Sequence, residues 1–269
     1  MRLCTRAVKL ALAVAVGVLA VVTGAQAETS WTDQTDIWWN PNESGWGMNM
    51  IHTGSFIFAT LYVYGPDGKP TWYTGELQYV SGDDNYRGPL YATTGPYFGG
   101  PFNPANVGAR QAGTMTFTAL TVWTGTLSYT VDGVKVDKAI ERQRLTLDDY
   151  SGTYETQSTI TFTKCTDTSY NGVLTAPGQA TLTQSNAAIS GKLFGALGDG
   201  TCDIPTTTYM QQGRMGRFEG PYSCPWGETG TAVLFEMNPS FYGFSARMRF
   251  DSTNYGCHGE GEIVGVISR

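Results

Sequence analysis

Residues 55–80 read SFIFATLYVYGPDGKPTWYTGELQYV, and this stretch decides the fold class. From Phe56 to Tyr64 the side chains alternate with a period of two, which is typical of a β-strand with two distinct faces. The run from Pro66 to Pro70 predicts a turn, because proline fixes φ and Asp-Gly tolerates the positive φ that follows. Trp72 to Val80 then resumes the alternation as the return strand of a hairpin.

The same pattern recurs along the chain and predicts an all-β protein. In the first half, besides this hairpin, we expect strands at residues 46–52, 86–93, 113–120, 125–131 and 136–145, about seven strands in all. In the second half we expect strands at residues 152–157, 159–165, 179–184, 189–194, 208–212, 217–224, 231–237, 241–250 and 260–267. Short strands joined by tight turns favour two small antiparallel up-and-down domains, barrel-like or sandwich-like.

The chain divides by composition into three parts. Residues 1–27 are typical of a secretory signal, with a basic start, an apolar run and a small-residue cleavage site at Ala25-Gln26-Ala27. A first β domain is expected over 28–147 and a second over 148–269, with the boundary near Asp148. One long irregular loop is expected from Gly95 to Gly108, where four glycines and three prolines occur.

Charge and cysteine content indicate an exported protein and exclude some partners. Without the three basic residues of the signal, the charge is 14 − 23 = −9, from 17 − 3 basic and 23 acidic side chains. Such an acidic surface argues against nucleic acid as a partner. The apolar run of the signal is shorter than the roughly 20 residues of a membrane span, and no later segment approaches that length. We therefore expect a periplasmic or extracellular protein without a membrane span.

The cysteines beyond the signal all lie in the second half: Cys165, Cys202, Cys224 and Cys257. An even count in an oxidising compartment predicts two disulfides, for which three connectivities exist. Gly213 lies midway between Cys202 and Cys224 in a turn-like run, so the spacing favours Cys202–Cys224 and, by remainder, Cys165–Cys257. The alternative is a metal site, but no C-x-x-C occurs and His52 and His258 are the only histidines. We expect no metal and no cofactor.

The richest candidate for a site is the segment WWNPNESGWG, residues 38–47. It combines three indoles, a carboxylate and two glycines, and glycine permits a bulge or the close approach of a ring. This segment resembles the W-[WY]-N-P-x-E-S-G-W-G motif of exported bacterial β-domain proteins of unknown function. DGKPTWY at 67–73, GPLYATTGP at 88–96 and YTVDGV at 129–134 fit the same pattern, so the resemblance covers about residues 36–145.

The resemblance implies a β domain in an exported protein but no activity. Family members often carry a Gln shortly after the glycines, where this chain has Ile51 and His52. A ligand bound through that Gln would therefore not carry over. The second half is only loosely similar to other exported, disulfide-bearing β domains.

Two interpretations of the motif compete. In the first, Trp38, Trp39 and Trp46 close one end of a barrel, while Asn40 and Glu43 satisfy backbone groups of the entry loop. In the second, these residues form an accessible aromatic recess that binds a glycan, another extracellular polymer or a small amphipathic ligand. The candidate ligand-binding residues are Trp38, Trp39, Asn40, Glu43, Trp46, Tyr62 and Trp72.

Two other functions stay open. A hydrolase of an extracellular polymer would use Glu43 as acid or base, with Asp36, Glu76 or Glu141 as the second carboxylate. No nucleophile elbow, zinc-protease motif or phosphate-binding glycine loop supports catalysis, so no catalytic residue is assigned. A structural or inhibitory protein would instead present the loop from Gly95 to Gly108 to a partner.

Overall fold

The computed structural model describes residues 32–195 and 200–268. The expected signal at 1–27 lies outside these ranges. The described chain forms two antiparallel sheets of eight strands, each closed into a barrel in which every strand pairs with its sequence neighbours. The all-β prediction is confirmed, and of the two architectures left open the barrel is the one found. Within the described ranges, no helix is both long enough and apolar enough to cross a membrane.

The first barrel contains strands β1 to β8 and closes by pairing β1 with β8 through Trp38 opposite Arg142. Its strands are β1 (Asp36–Trp39), β2 (Gly47–Thr53), β3 (Phe56–Tyr64), β4 (Pro70–Val80), β5 (Asn85–Thr94), β6 (Gly108–Ala119), β7 (Thr124–Val131) and β8 (Val134–Arg142). The hairpin read from residues 55–80 is β3 and β4. Ile57, Ala59 and Leu61 on β3 face the core, while the alternate residues face outward.

The second barrel contains β9 to β16 and closes by pairing β9 with β16. Its strands are β9 (Gly152–Thr163), β10 (Gly172–Ser185), β11 (Ala188–Phe194), β12 (Thr201–Gln212), β13 (Met215–Ser223), β14 (Thr229–Ser240), β15 (Gly243–Ser252) and β16 (His258–Ile267). Because the strands alternate in direction, the connections that follow β9, β13 and β15 lie at the same end of this barrel.

The structure corrects two strand predictions. The first half has eight strands rather than about seven, because β1 is only four residues long and is too short to show a periodic pattern. The strands expected at 152–157 and 159–165 form one strand, β9. The inward-facing Thr156 and Ser158 are buried polar residues, and they interrupt the apolar alternation without breaking the strand.

Two further strands begin earlier in the structure than the sequence predicted, because glycine and proline in their first halves hid the strand pattern. Strand β10 begins at Gly172 rather than 179, and β12 begins at Thr201 rather than 208. The early part of β12 contains Pro205, which lies where the register with β13 shifts between Asp203 and Tyr209. Proline is tolerated at such an irregularity because no ladder hydrogen bond is required of it. The expected loop from Gly95 to Gly108 is confirmed, since β5 ends at Thr94 and β6 begins at Gly108.

Both disulfides that the spacing favoured are present, Cys202–Cys224 and Cys165–Cys257. The first joins the start of β12 to the connection after β13, across the hairpin that turns at Gly213. The second joins the connections after β9 and β15. Both therefore lie at the same end of the second barrel.

Candidate functional site

Trp38 is a core residue of the first barrel and has no exposed surface. Its indole Nε1 donates to the carbonyl of Gln34 at 3.0 Å, and its ring meets Phe117 edge-on with 5.2 Å between ring centroids. The guanidinium of Arg142 lies over the ring, 4.8 Å from its centroid. Trp38 cannot contact a ligand in this fold, so the prediction of a ligand-binding role is wrong for this residue.

Trp39 ends β1, and the residues that follow it form a turn. Trp39 is half-buried and pairs with Glu141 across the closure of the barrel. The side-chain oxygen Oδ1 of Asn40 accepts a hydrogen bond from the backbone N–H of Asn42 at 2.9 Å. The backbone carbonyl of Asn40 accepts one from the N–H of Glu43 at 3.0 Å. Asn40 thus satisfies backbone groups of the turn, as the packing interpretation requires.

Glu43 and Trp46 come together at the surface with Lys138 of β8. The carboxylate oxygen Oε2 of Glu43 accepts from the indole of Trp46 at 3.1 Å and from the ammonium of Lys138. Lys138 also lies 5.7 Å from the centroid of the Trp46 ring. Trp46 packs against the core cluster, and Glu43 is exposed. The hydrogen bond from Lys138 lowers the pKa of the Glu43 carboxyl.

Tyr62 and Trp72 form an exposed pair on the outer face of the first barrel. They lie opposite each other on β3 and β4, and they are 47% and 55% exposed. Gly45 has a φ of +107°, and a Cβ there would lie 3.2 Å from the Tyr64 hydroxyl, so this glycine does permit the close approach of a ring. The seven candidate residues therefore do not form one site. Trp38 lies in the core, Trp39 and Asn40 at the barrel closure and the turn after it, Glu43 and Trp46 in the surface cluster with Lys138, and Tyr62 and Trp72 on the outer face.

The loop between β5 and β6 exposes three aromatic rings. Tyr97, Phe98 and Phe102 are among the exposed large side chains of the described chain. This exposure is the feature that an interaction loop would need.

A concave recess lies at the disulfide-bearing end of the second barrel. Its volume is about 500 Å³, and none of the seven candidate residues lines it. The lining is mainly aromatic and aliphatic, with Glu228 among its polar members. The lining residues include Tyr170, Leu174, Tyr222, Trp226, Glu228 and Phe250.

Tyr222, Phe250 and Glu228 are the most buried of these side chains. The rings of Tyr222 and Phe250 meet edge-on with centroids 5.6 Å apart, and both residues are below 5% exposed. The Tyr222 hydroxyl donates to Oε1 of Glu228 at 2.8 Å. Burial raises the pKa of Tyr222, and its hydrogen bond to Glu228 raises that pKa further. The phenol therefore stays protonated and remains a donor to the carboxylate.

The rim of the recess is cross-linked. Cys165–Cys257 joins two of its loops, and the N–H of Thr166 donates to the carbonyl of Tyr255 at 2.8 Å. Tyr170 packs edge-on against Tyr255, 5.9 Å between centroids. These covalent and hydrogen-bonded links hold the loops in place without a ligand.

A second link ties the turn that carries Trp226 and Glu228 to the connection after β15. The side-chain amide of Asn254 donates to the carbonyl of Gly227, and its oxygen accepts from the Thr229 hydroxyl at 3.1 Å. The N–H of Thr253 also donates to the Thr229 carbonyl at 2.8 Å. The connections after β9, β13 and β15, which surround the recess, are therefore fixed to one another.

Sequence reasoning did not identify this site. Tyr222, Glu228 and Phe250 are separated by up to 28 positions and converge only when β13, β14 and β15 pair in register. The available signal was the run Cys224-Pro225-Trp226-Gly227-Glu228, in which an indole and a carboxylate flank a turn glycine next to a paired cysteine. That run has the composition of an ordinary turn, which conceals its chemistry.

Comparisons with known proteins add no function. No family model and no curated protein matches the chain. One solved structure that is similar is described as a "putative outer membrane protein" from Bacteroides fragilis. It is 14% identical, the match covers 86% of this chain and 95% of that chain, and the TM-score is 0.31. At that TM-score nothing is inferred from the match, and the resemblance of residues 36–145 to the W-W-N-P proteins stays a prediction.

Proposed function

We propose that this chain is a non-catalytic binding protein whose recess in the second barrel holds a small amphipathic ligand. The observation that carries the proposal is the recess of about 500 Å³, lined by aromatic rings around a single buried carboxylate. Small-molecule sites are typically cavities of ~300–1,000 Å³ with apolar walls and a few convergent polar groups. The binding function expected from the W-W-N-P segment is thereby reassigned to the other barrel.

The preorganised rim supports binding rather than packing alone. A ligand that enters a fixed recess does not have to order the surrounding loops, and this lowers the entropic cost of association. Rings at the rim remain accessible, since Tyr170 and Trp226 are 58% and 37% exposed. An amphipathic ligand would contact these rings and place its polar group toward Glu228.

The geometry gives less support to a hydrolase built on Glu43. A general acid needs a raised pKa, whereas the Lys138 hydrogen bond lowers the pKa of Glu43. Of the carboxylates considered as its partner, Asp36 is bound to the buried guanidinium of Arg142. The carboxylates of Glu43 and Asp36 are therefore both engaged in ion pairs.

The disulfides are compatible with an exported protein. Together with the signal-like N-terminus they support a periplasmic or extracellular location as part of this proposal. The ligand would then be a molecule that reaches that compartment, such as an amphipathic metabolite or a fragment of an extracellular polymer.

A neutral amphipathic fluorophore tests the proposal. We expect N-phenyl-1-naphthylamine to bind saturably, with a fluorescence increase, because its rings match the apolar walls. Trp226→Ala should weaken binding by about tenfold, the value of one lost aromatic contact. The matched control is Trp72→Ala, which removes an exposed indole from the first barrel and should leave the dissociation constant unchanged. Absence of saturable binding, or an equal loss in both variants, would refute the proposal.

A further inference from the structure

Glu228 is placed in the recess by a tight turn between β13 and β14. The N–H of Cys224 donates to the carbonyl of Glu228 at 2.8 Å, and the N–H of Gly227 donates to the carbonyl of Cys224 at 3.0 Å. Gly227 has a φ of +89°, a conformation that favours glycine. The turn leaves Trp226 at the rim and directs Glu228 back toward the barrel interior, where it is 7% exposed.

The two carboxylate oxygens of Glu228 are in different situations. Oε1 accepts the hydrogen bond from Tyr222. Oε2 is fully buried and has no hydrogen-bond partner among the described residues. A buried acceptor without a donor is unfavourable, and the cost is greater when the group carries a charge. Ser169, Asn171 and Ser252 also line the recess, but no described group donates to Oε2. An unpartnered carboxylate oxygen on a residue that lines the recess therefore indicates a binding position for a donor.

The charge around Glu228 is not balanced within the recess. No Lys, Arg or His occurs among the described residues that line it. His258 follows the lining residue Cys257, but its ring bonds to Asp251 at 2.6 Å and lies 3.4 Å from Glu260. The recess is thus electronegative, and its aromatic rings add the negative faces that attract cations.

We propose that the ligand of this recess carries a protonated primary or secondary amine on an apolar body. The amine N–H would donate to Oε2 of Glu228 and balance its charge, while the apolar body would lie against Tyr222, Phe250 and Trp226. A quaternary ammonium has no N–H to give, and a neutral alcohol supplies the donor without the charge. This inference rests on the proposed function, because it names the chemical class of that ligand.

Displacement of the bound fluorophore by two matched probes tests the inference. The probes are 2-phenylethylamine, which is protonated at pH 7, and 2-phenylethanol, which has the same carbon skeleton without the charge. We expect the amine to displace the dye at a concentration at least about tenfold lower than the alcohol requires, because a charge-assisted hydrogen bond to a buried group contributes that much. Glu228→Gln should abolish this preference. The control is Glu262→Gln, the same substitution at an exposed position on β16, which should retain the preference for the amine.

The outcomes separate the two proposals. If the dye binds and the amine and alcohol displace it equally from the unaltered protein, the amine inference is wrong and the proposed function stands. If the dye does not bind at all, both fail. The comparison of probes on the unaltered protein needs no variant, so the result holds even if Glu228→Gln does not fold. Retention of the full amine preference in a folded Glu228→Gln variant would also overturn the inference.

Discussion

At the residue scale, the three indoles of the WWNPNESGWG segment do different things. Trp38 is buried against Phe117 and Arg142, Trp39 lies at the barrel closure, and Trp46 covers the core beside Glu43. The motif therefore combines the packing interpretation with a small surface cluster. Sequence could not separate these roles, because whether an indole is buried depends on which strand closes the barrel beside it.

Stability measurements distinguish the buried indole from an exposed one. We expect Trp38→Ala to lower the free energy of unfolding by about 3–5 kcal/mol, since it deletes a fully buried ring and leaves a cavity. Trp72→Ala, on the outer face of β4, should cost about 1 kcal/mol or less. Urea unfolding followed by circular dichroism measures both. Equal losses would contradict the core assignment of Trp38.

At the scale of elements, the hairpins were predictable and their exact extents were not. The β3–β4 hairpin follows from period-two alternation around a Pro-Asp-Gly turn, and the Cys202–Cys224 pairing follows from a turn at Gly213. Strand β9 was divided in the prediction because Thr156 and Ser158 face inward. Alternation reports side-chain polarity, so a buried polar residue resembles a break even when the backbone ladder continues.

The rim of the recess belongs largely to the connections between elements, while Tyr222 and Phe250 lie on β13 and β15. The dispersal of its residues over these segments is why sequence did not reveal it. Each rim segment alone has the Gly, Pro and Asn content of a turn. Their chemistry emerges only when β9, β13 and β15 end at one side of a closed barrel. The order of strands was predictable from short connections, but the closure of β9 on β16 was not. It joins strands more than 90 residues apart.

At the scale of the whole molecule, Asp36 links the two barrels. Its oxygen Oδ2 accepts from Arg142 in the first barrel at 3.1 Å and from the backbone N–H of Arg214 in the second at 2.9 Å. Arg214 also pairs with Asp33 at 3.3 Å. The Arg142 side chain is fully buried and donates to three backbone carbonyls as well. One carboxylate thus balances a buried cation and caps the hairpin of the neighbouring barrel.

Removal of this carboxylate should destabilise the molecule strongly. We expect Asp36→Ala to cost about 3–5 kcal/mol, because it leaves the Arg142 guanidinium buried without its counter-charge. The control is Asp203→Ala, which breaks an exposed pair with Lys192 on the second barrel and should cost about 1 kcal/mol or less. Chemical denaturation of both variants provides the comparison. A loss for Asp36→Ala no larger than that for Asp203→Ala would show that the buried pair contributes little.

The most direct test of a ligand site in the second barrel is amide chemical-shift mapping by NMR during titration with 2-phenylethylamine. We expect the largest perturbations at residues 166–174, 222–228 and 250–257, with residues 38–46 unchanged. Perturbations confined to residues 38–46 or to the Tyr62–Trp72 face would contradict the assignment and return the site to the first barrel.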